Sequence, residues 1–253
     1  MLPAIERKLN RLAMLQVLSE IEGSKDAGIS IYLPAGLPED EIKSTLAVIL
    51  NEENIVADIF NRVAKSRTGA ILFWGRHCKY LILPPFSVDA KVILQDYVTE
   101  PLCTLLNKDL TIALVLVRLG SYAVGVFQQE ALLSSKVGTG LVHSRHKKGG
   151  SSSRRFERHR YKQAEYFFSR VCMHVQEKLD PVHRQIDYLY YGGERFTIRS
   201  FREQCSFLKT FDTRTADVLL NVREPKQASL EAAIHDVWSS KVITWQEDRD
   251  VAD

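Results

Sequence analysis

The chain has 253 residues, 45% of them hydrophobic, and a formal net charge of +3. That length fits one large domain or two small ones, and that apolar content excludes global disorder. No run of 18 consecutive apolar residues occurs, which excludes an uninterrupted membrane-spanning helix.

The opening segment, MLPAIERKLNRLAML, is amphipathic, and charges interrupt it. No signal-peptide core follows, so a cytoplasmic location is expected. Residues 4–21 read as a helix with Ile5, Leu9, Leu12, Leu15 and Leu18 on one side. GISIYLPAG reads as a strand stopped by Pro34 and Gly36. Between Glu39 and Ala64, apolar residues at helical spacing predict two helices, or one broken near Asn51. GAILFWG and YLILPP flank Arg76, His77 and Cys78 and read as two strands joined by a short turn, with a helix expected over 92–107.

LTIALVLVRLG and YAVGVFQQE are two apolar strands around the turn at Gly120 and Ser121, and ALLSSKVG is a candidate third. From Phe156 to about Leu179 there is no Gly or Pro. Ala164, Phe167 or Phe168, Val171, Val175 and Leu179 mark one helical face there, and Pro181 lies just past its end. IDYLYYGG reads as a strand, 194–208 as a helix, ADVLLNV as a strand and 229–240 as a last helix. Strands alternating with helices indicate an α/β fold, or α+β. A composition break near 105–110 divides an N-terminal α/β region, 1–107, from a second region, 108–253.

The ordinary catalytic signatures are absent from the sequence. His143 and His146 sit three apart among cations, with no carboxylate or thiol nearby, so no metal site is expected. Cys78, Cys103, Cys172 and Cys205 form no Cys-x-x-Cys pair, which favours reduced thiols. Cys172 lies on the apolar side of its helix and reads as core. Gly138-Thr139-Gly140 lacks the third glycine of a dinucleotide fingerprint, and there is no phosphate-loop lysine and no Gly-x-Ser-x-Gly elbow. Asp187, Glu194 and Asp217 read as surface or cap residues. Tyr188, Tyr190 and Tyr191 could stack on bases, although their alternation favours core packing for some of them.

The segment HKKGGSSSRRFERHRYKQ is different. From His143 to Gln163 there are eight Lys/Arg and one Glu, a local charge of +7, so the rest of the chain carries −4. Such a concentration suits a polyanion. Gly149 and Gly150 permit positive φ and close approach to another molecule. Ser151, Ser152 and Ser153 keep that approach open, and Arg154, Arg155, Arg158 and Arg160 lead into a helix whose N-terminus also favours anions. On these residues a nucleic-acid loop and a flexible linker both remain open.

The longer stretch SKVGTGLVHSRHKKGGSSSRRFERHRYKQAEYFF resembles the Vms-like release factor family. That family is a branch of the eukaryotic and archaeal class I peptide release factors. It includes the tRNA hydrolases of eukaryotic ribosome quality control and a bacterial branch in actinobacteria and chloroflexi. ISIYLPAG, TGAILFWGRHCKYLILPP and LVLVRLGSYAVGVFQQE resemble successive blocks of bacterial members, so the likeness runs from about Gly28 to Leu179, with a weaker fit through DYLYYGG and VREP.

The resemblance implies a release-factor-like catalytic domain over 108–253, with a mixed sheet, a glycine-rich basic loop over 143–160 and a long following helix. It implies peptidyl-tRNA hydrolysis on stalled large ribosomal subunits, with the loop in the peptidyl-transferase centre and no cofactor, metal or membrane involved. Gly149, Gly150, Ser151, Ser152 and Ser153 would form the catalytic tip. Arg145, Lys147, Lys148, Arg154, Arg155, Arg158 and Arg160 would contact RNA, and the tip over 145–153 is expected to move freely before binding. The chain departs from the family at one point: Ser153 stands where a glutamine is usual. No glutamine lies between Lys148 and Arg160, and the nearest downstream is Gln163. A non-catalytic ribosome- or RNA-binding quality-control factor is therefore the alternative.

Overall fold

The computed structural model describes residues 4–24, 26–50, 53–76, 78–142 and 151–245. The chain divides into two compact units, Met1–Lys108 with Asp236–Asp253, and Asp109–His235.

In the first unit, strand β1 (Ala4–Leu9) precedes helix α1 (Arg11–Glu22), β2 (Gly28–Leu33), α2 (Glu39–Ile49), α3 (Glu53–Val63), β3 (Ala70–Gly75), β4 (Lys79–Leu83), β5 (Val92–Gln95) and α4 (Glu100–Leu106). The second unit holds β6 (Thr111–Arg118), β7 (Ser121–Gln128), β8 (Ala131–Thr139), α5 (Ser151–Leu179), β9 (Ile186–Gly193), α6 (Arg195–Gln204), β10 (Thr215–Leu220) and most of α7 (Gln227–Val237). The chain then returns to the first unit as β11 (Ser240–Trp245).

The first sheet is antiparallel throughout, in the order β1-β11-β4-β3-β2-β5. Ile31, Leu33, Leu72, Leu81 and Ile243 from its strands pack with Leu46, Ile59 and Val63 from α2 and α3.

Three sequence expectations are corrected in this unit. The helix expected over 4–21 begins only at Arg11, because the Asn10 side chain accepts a hydrogen bond from the Ala13 amide (2.9 Å) and caps it there. Residues 4–9 instead pair with β11, from Ala4 opposite Trp245 to Leu9 opposite Ser240. The helix expected over 92–107 is split. Val92–Gln95 joins the edge of β2, Asp96 turns the chain at φ 66°, and α4 starts at Glu100 with Pro101 in its first turn. The helix expected over 229–240 ends at Val237, and β11, a strand with no counterpart among the expected elements, sits between β1 and β4. Residues 240–245 therefore belong to the first sheet, although the sequence placed 108–253 in one region.

The second sheet is mixed and ordered β10-β9-β6-β7-β8, with β10, β9 and β6 parallel and β6, β7 and β8 antiparallel. The architecture is thus α/β with two sheets, and the mixed sheet expected for the second region is present. One face of this sheet, including Ala113, Val115, Tyr122, Val124, Leu189 and Tyr191, buries Phe167, Phe168, Val171 and Val175 of α5 with Phe201 of α6. The helix expected over 194–208 stops at Gln204, and a 3-10 helix, Ser206–Arg214, supplies Leu208 and Phe211 to the same core.

Candidate nucleic-acid interface

The 29 residues of α5 span about 43 Å at 1.5 Å per residue. Its second half is clamped. Phe168 stands 5.7 Å from Phe201 of α6 between ring centroids, and Tyr122 stacks on His174 at 5.7 Å. The Gln204 amide donates to the Glu165 carbonyl (2.8 Å), and Arg170 donates to the Thr139 carbonyl at the end of β8. The two glycines at 138 and 140 serve this packing. A Cβ on Gly138 would stand 2.5 Å from the Tyr122 hydroxyl, and one on Gly140 would stand 2.6 Å from the Phe167 ring. Gly138 and Gly140 thus let the aromatic core approach the backbone that leads into the basic segment.

Cys172 of α5 and Cys205, at the C-terminal end of α6, form a disulfide with Cα atoms 5.5 Å apart. This corrects the expectation that all four cysteines are reduced. The residues are 33 apart in sequence, and only the packing of α6 against α5 brings them together. Cys78 and Cys103 are free. Burial pushes the Cys78 thiol up to about 11, which removes it as a nucleophile at neutral pH.

The N-terminal half of α5 carries the charge. Ser151, Ser152 and Ser153 form its first turn, so the helix starts five residues before the Phe156 read from the sequence, and these three serines are helical rather than a free tip. Serine is well accepted at a helix start, and no Gly or Pro interrupts 151–155. Arg154, Arg155, Arg158 and Arg160 follow within the first three turns, with Glu157 as the one acid among residues 151–160. Cations at the positive end of a helix repel its macrodipole, so this arrangement opposes helix stability and favours a bound polyanion. The Arg155 and Arg158 side chains are exposed and Arg160 is half-buried. Gly149, Gly150, Arg145, Lys147 and Lys148, like His143 and His146, lie outside the described residues.

Other candidates resolve differently. Tyr190 and Tyr191 are buried, and burial raises both hydroxyl pKa values, that of Tyr191 to about 12. They are core residues and not base-stacking platforms. Asp187 accepts the Thr111 amide (2.7 Å), and Glu194 accepts the Thr197 hydroxyl (3.1 Å) at the start of α6, so both are structural. Among the described residues no group of three or more His, Cys, Asp or Glu could hold a metal ion. No described helix is long and apolar enough to cross a membrane.

Sequence reading missed Lys162, Tyr161 and Tyr166, all exposed on α5. For Lys162 and Tyr166 the signal was the same helical period read on the opposite face from the core, whereas Tyr161 continues the core period one turn before Ala164.

No curated protein matches this chain. The archaeal translation termination factor aRF1 is similar at 15% identity and a TM-score of 0.40, over 90% of this chain and 73% of its own. A second archaeal protein is similar at 14% identity and a TM-score of 0.40, over 91% of this chain and 73% of its own. Pelota from Archaeoglobus fulgidus is similar at 12% identity and a TM-score of 0.29, over 92% of this chain and 64% of its own. Residues 110–243, which hold the whole second sheet and α5, match the family described as Actinobacteria/chloroflexi VLRF1 release factor. Since that match spans more than half of the sequence, the chain belongs to the Actinobacteria/chloroflexi VLRF1 release factor family and is a release-factor-like translation factor.

Proposed function

We propose that this protein cleaves the ester between a nascent peptide and tRNA on stalled large ribosomal subunits, in the cytoplasm. The observation that carries the reading is the local charge of +7 in the sequence His143–Gln163, of which residues 151–163 form the start of α5, in a chain of a release-factor family. The clamped half of α5 supplies a rigid mount. The cationic half would bind phosphate through Arg154, Arg155, Arg158 and Arg160, together with Arg145, Lys147 and Lys148. Gly149, Gly150 and Ser151–Ser153 would reach the ester. Amide N–H groups of the first helical turn have no intrahelical partner, and one aimed at the ester could stabilise the charge that develops on its carbonyl oxygen.

A second reading is favoured by the absence of glutamine between Lys148 and Arg160. In that reading the protein binds the ribosome without hydrolysis. Single-turnover release of a labelled peptide from tRNA on purified large subunits, at saturating protein, decides between them. Release supports the hydrolase, and binding without release supports the non-catalytic factor.

A further inference from the structure

The solvent face of α5 carries a second pattern beyond the arginines. Arg155, His159, Lys162, Tyr166, Ser169 and Met173 recur at i, i+4, i+7, i+11, i+14 and i+18, one continuous stripe about 27 Å long. Every member is exposed. Tyr166 is 72% exposed and Met173 56%, on the opposite side of the helix from buried Phe167, Phe168 and Val171. Tyr161, 67% exposed, lies outside the stripe, in period with Ala164, Phe168 and Val171. Among the described residues Arg155, Arg158 and Lys162 form no ion pair, and Tyr161 and Tyr166 pack on no other ring. A tyrosine left mostly in water beside unpaired cations gains little for the fold.

We propose that this face binds unpaired RNA, with Tyr166 stacking on a splayed base and Lys162 on the phosphate beside it. The inference rests on the reading that the partner of α5 is RNA, and it adds a specific chemistry: single-stranded nucleotides rather than duplex. Cations spaced along a groove or ridge track the phosphates, while an aromatic ring takes any base because every base has a π face. Tyr166 lies one helical turn beyond Lys162, so both can address one nucleotide. Duplex RNA keeps its bases stacked on one another and offers Tyr166 no partner.

The test uses the full chain and a single-stranded RNA oligonucleotide carrying 2-aminopurine, whose fluorescence falls when the base stacks. A duplex of the same length is the control. Tyr166→Ala should weaken binding of the single strand about 5- to 150-fold, since one stacked base contributes about 1–3 kcal/mol. It should abolish the quench while leaving the salt slope and the thermal midpoint unchanged. Tyr166→Phe should restore both affinity and quench. Lys162→Ala should instead reduce the salt slope by about 0.7. Unchanged oligonucleotide affinity in Tyr166→Ala, or no quench with the parent chain, overturns the proposal. So does loss of large-subunit binding by Tyr166→Ala with oligonucleotide binding intact, which would assign the face to a protein surface. Peptide release is scored separately: a chain that stacks on the oligonucleotide but releases nothing refutes the hydrolase and leaves this site standing.

Discussion

Reduction of the Cys172–Cys205 bond tests how firmly α5 is held. The two cysteines are 33 residues apart. The chain-entropy relation for a loop of that size gives about 12.5 cal/mol/K, or about 3.7 kcal/mol at 25 °C. This is a large share of the roughly 5–15 kcal/mol that stabilises a typical folded protein. With an m-value of about 2–3 kcal/mol/M, the urea midpoint of the second unit should fall by about 1–2 M on reduction. The molecule contains its own control. All three tryptophans, Trp74, Trp238 and Trp245, belong to the first unit, so their fluorescence reports the unit that lacks the bond. The measurement is urea denaturation with and without a thiol reductant, followed by tryptophan fluorescence and far-UV circular dichroism. The dichroism should show a reductant-sensitive transition and the tryptophan signal should move much less. Thiol titration in urea should count two free thiols before reduction and four after. Four thiols before reduction, or an unmoved dichroism transition, would refute the reasoning.

Replacing Arg154, Arg155, Arg158 and Arg160 by Ala should weaken ribosome binding and flatten its salt dependence by up to about 3 units, measured by co-sedimentation across a salt series. Ser153→Ala should retain substantial peptide release. Ser153→Pro should lose about 10²–10³ in single-turnover rate if its N–H stabilises developing charge, while the helix survives because proline is accepted in a first turn. If Ser153→Ala fails equally with binding intact, the hydroxyl is the working group and the backbone account is wrong. Hydrogen bonds from Lys241 and Arg62 hold the Glu6 carboxyl below its ordinary value of 4.5. A depressed folded-state pKa contributes stability above 4.5 that is lost as pH falls through the folded value. Glu6→Gln should therefore cost no more than about 1 kcal/mol at pH 7, since the pair is partly exposed, and thermal melts should show that difference vanishing in acid.

The strands β2, β3, β4, β6, β7 and β9 were legible because each is a short apolar run between turn residues, and α5 because its apolar face keeps one period from Ala164 to Leu179. Other elements depended on partners far away in sequence. Ile5 and Leu9 fall on the same helical spacing as Leu12 and Leu18, and only the Asn10 cap and pairing with β11 separate strand from helix. KVITW follows a helix closely, and nothing local says that it inserts beside Tyr80–Leu83. For the candidate site, the charge of 143–163 was plain in the sequence. Cys172 and Cys205 were not legible as a pair, since no spacing motif joins them. Lys162 and Tyr166 are not legible from the apolar face of α5, since the polar face carries the same period half a turn away.

The return of β11 to the first sheet sets an order on biosynthesis. Among the described strands β1 pairs only with β11, and β11 also covers the edge of β4. Roughly 230 residues separate β1 from that partner, which at about 5–20 residues per second means a wait of about 10–50 s during translation. Within that interval the second sheet, drawn from one continuous stretch, can assemble, and from its own synthesis until β11 is made β4 (KYLIL) presents an open apolar edge of the kind that invites mispairing. The first sheet therefore closes last, and a chain interrupted before Ser240 keeps that edge exposed to chaperones and proteases.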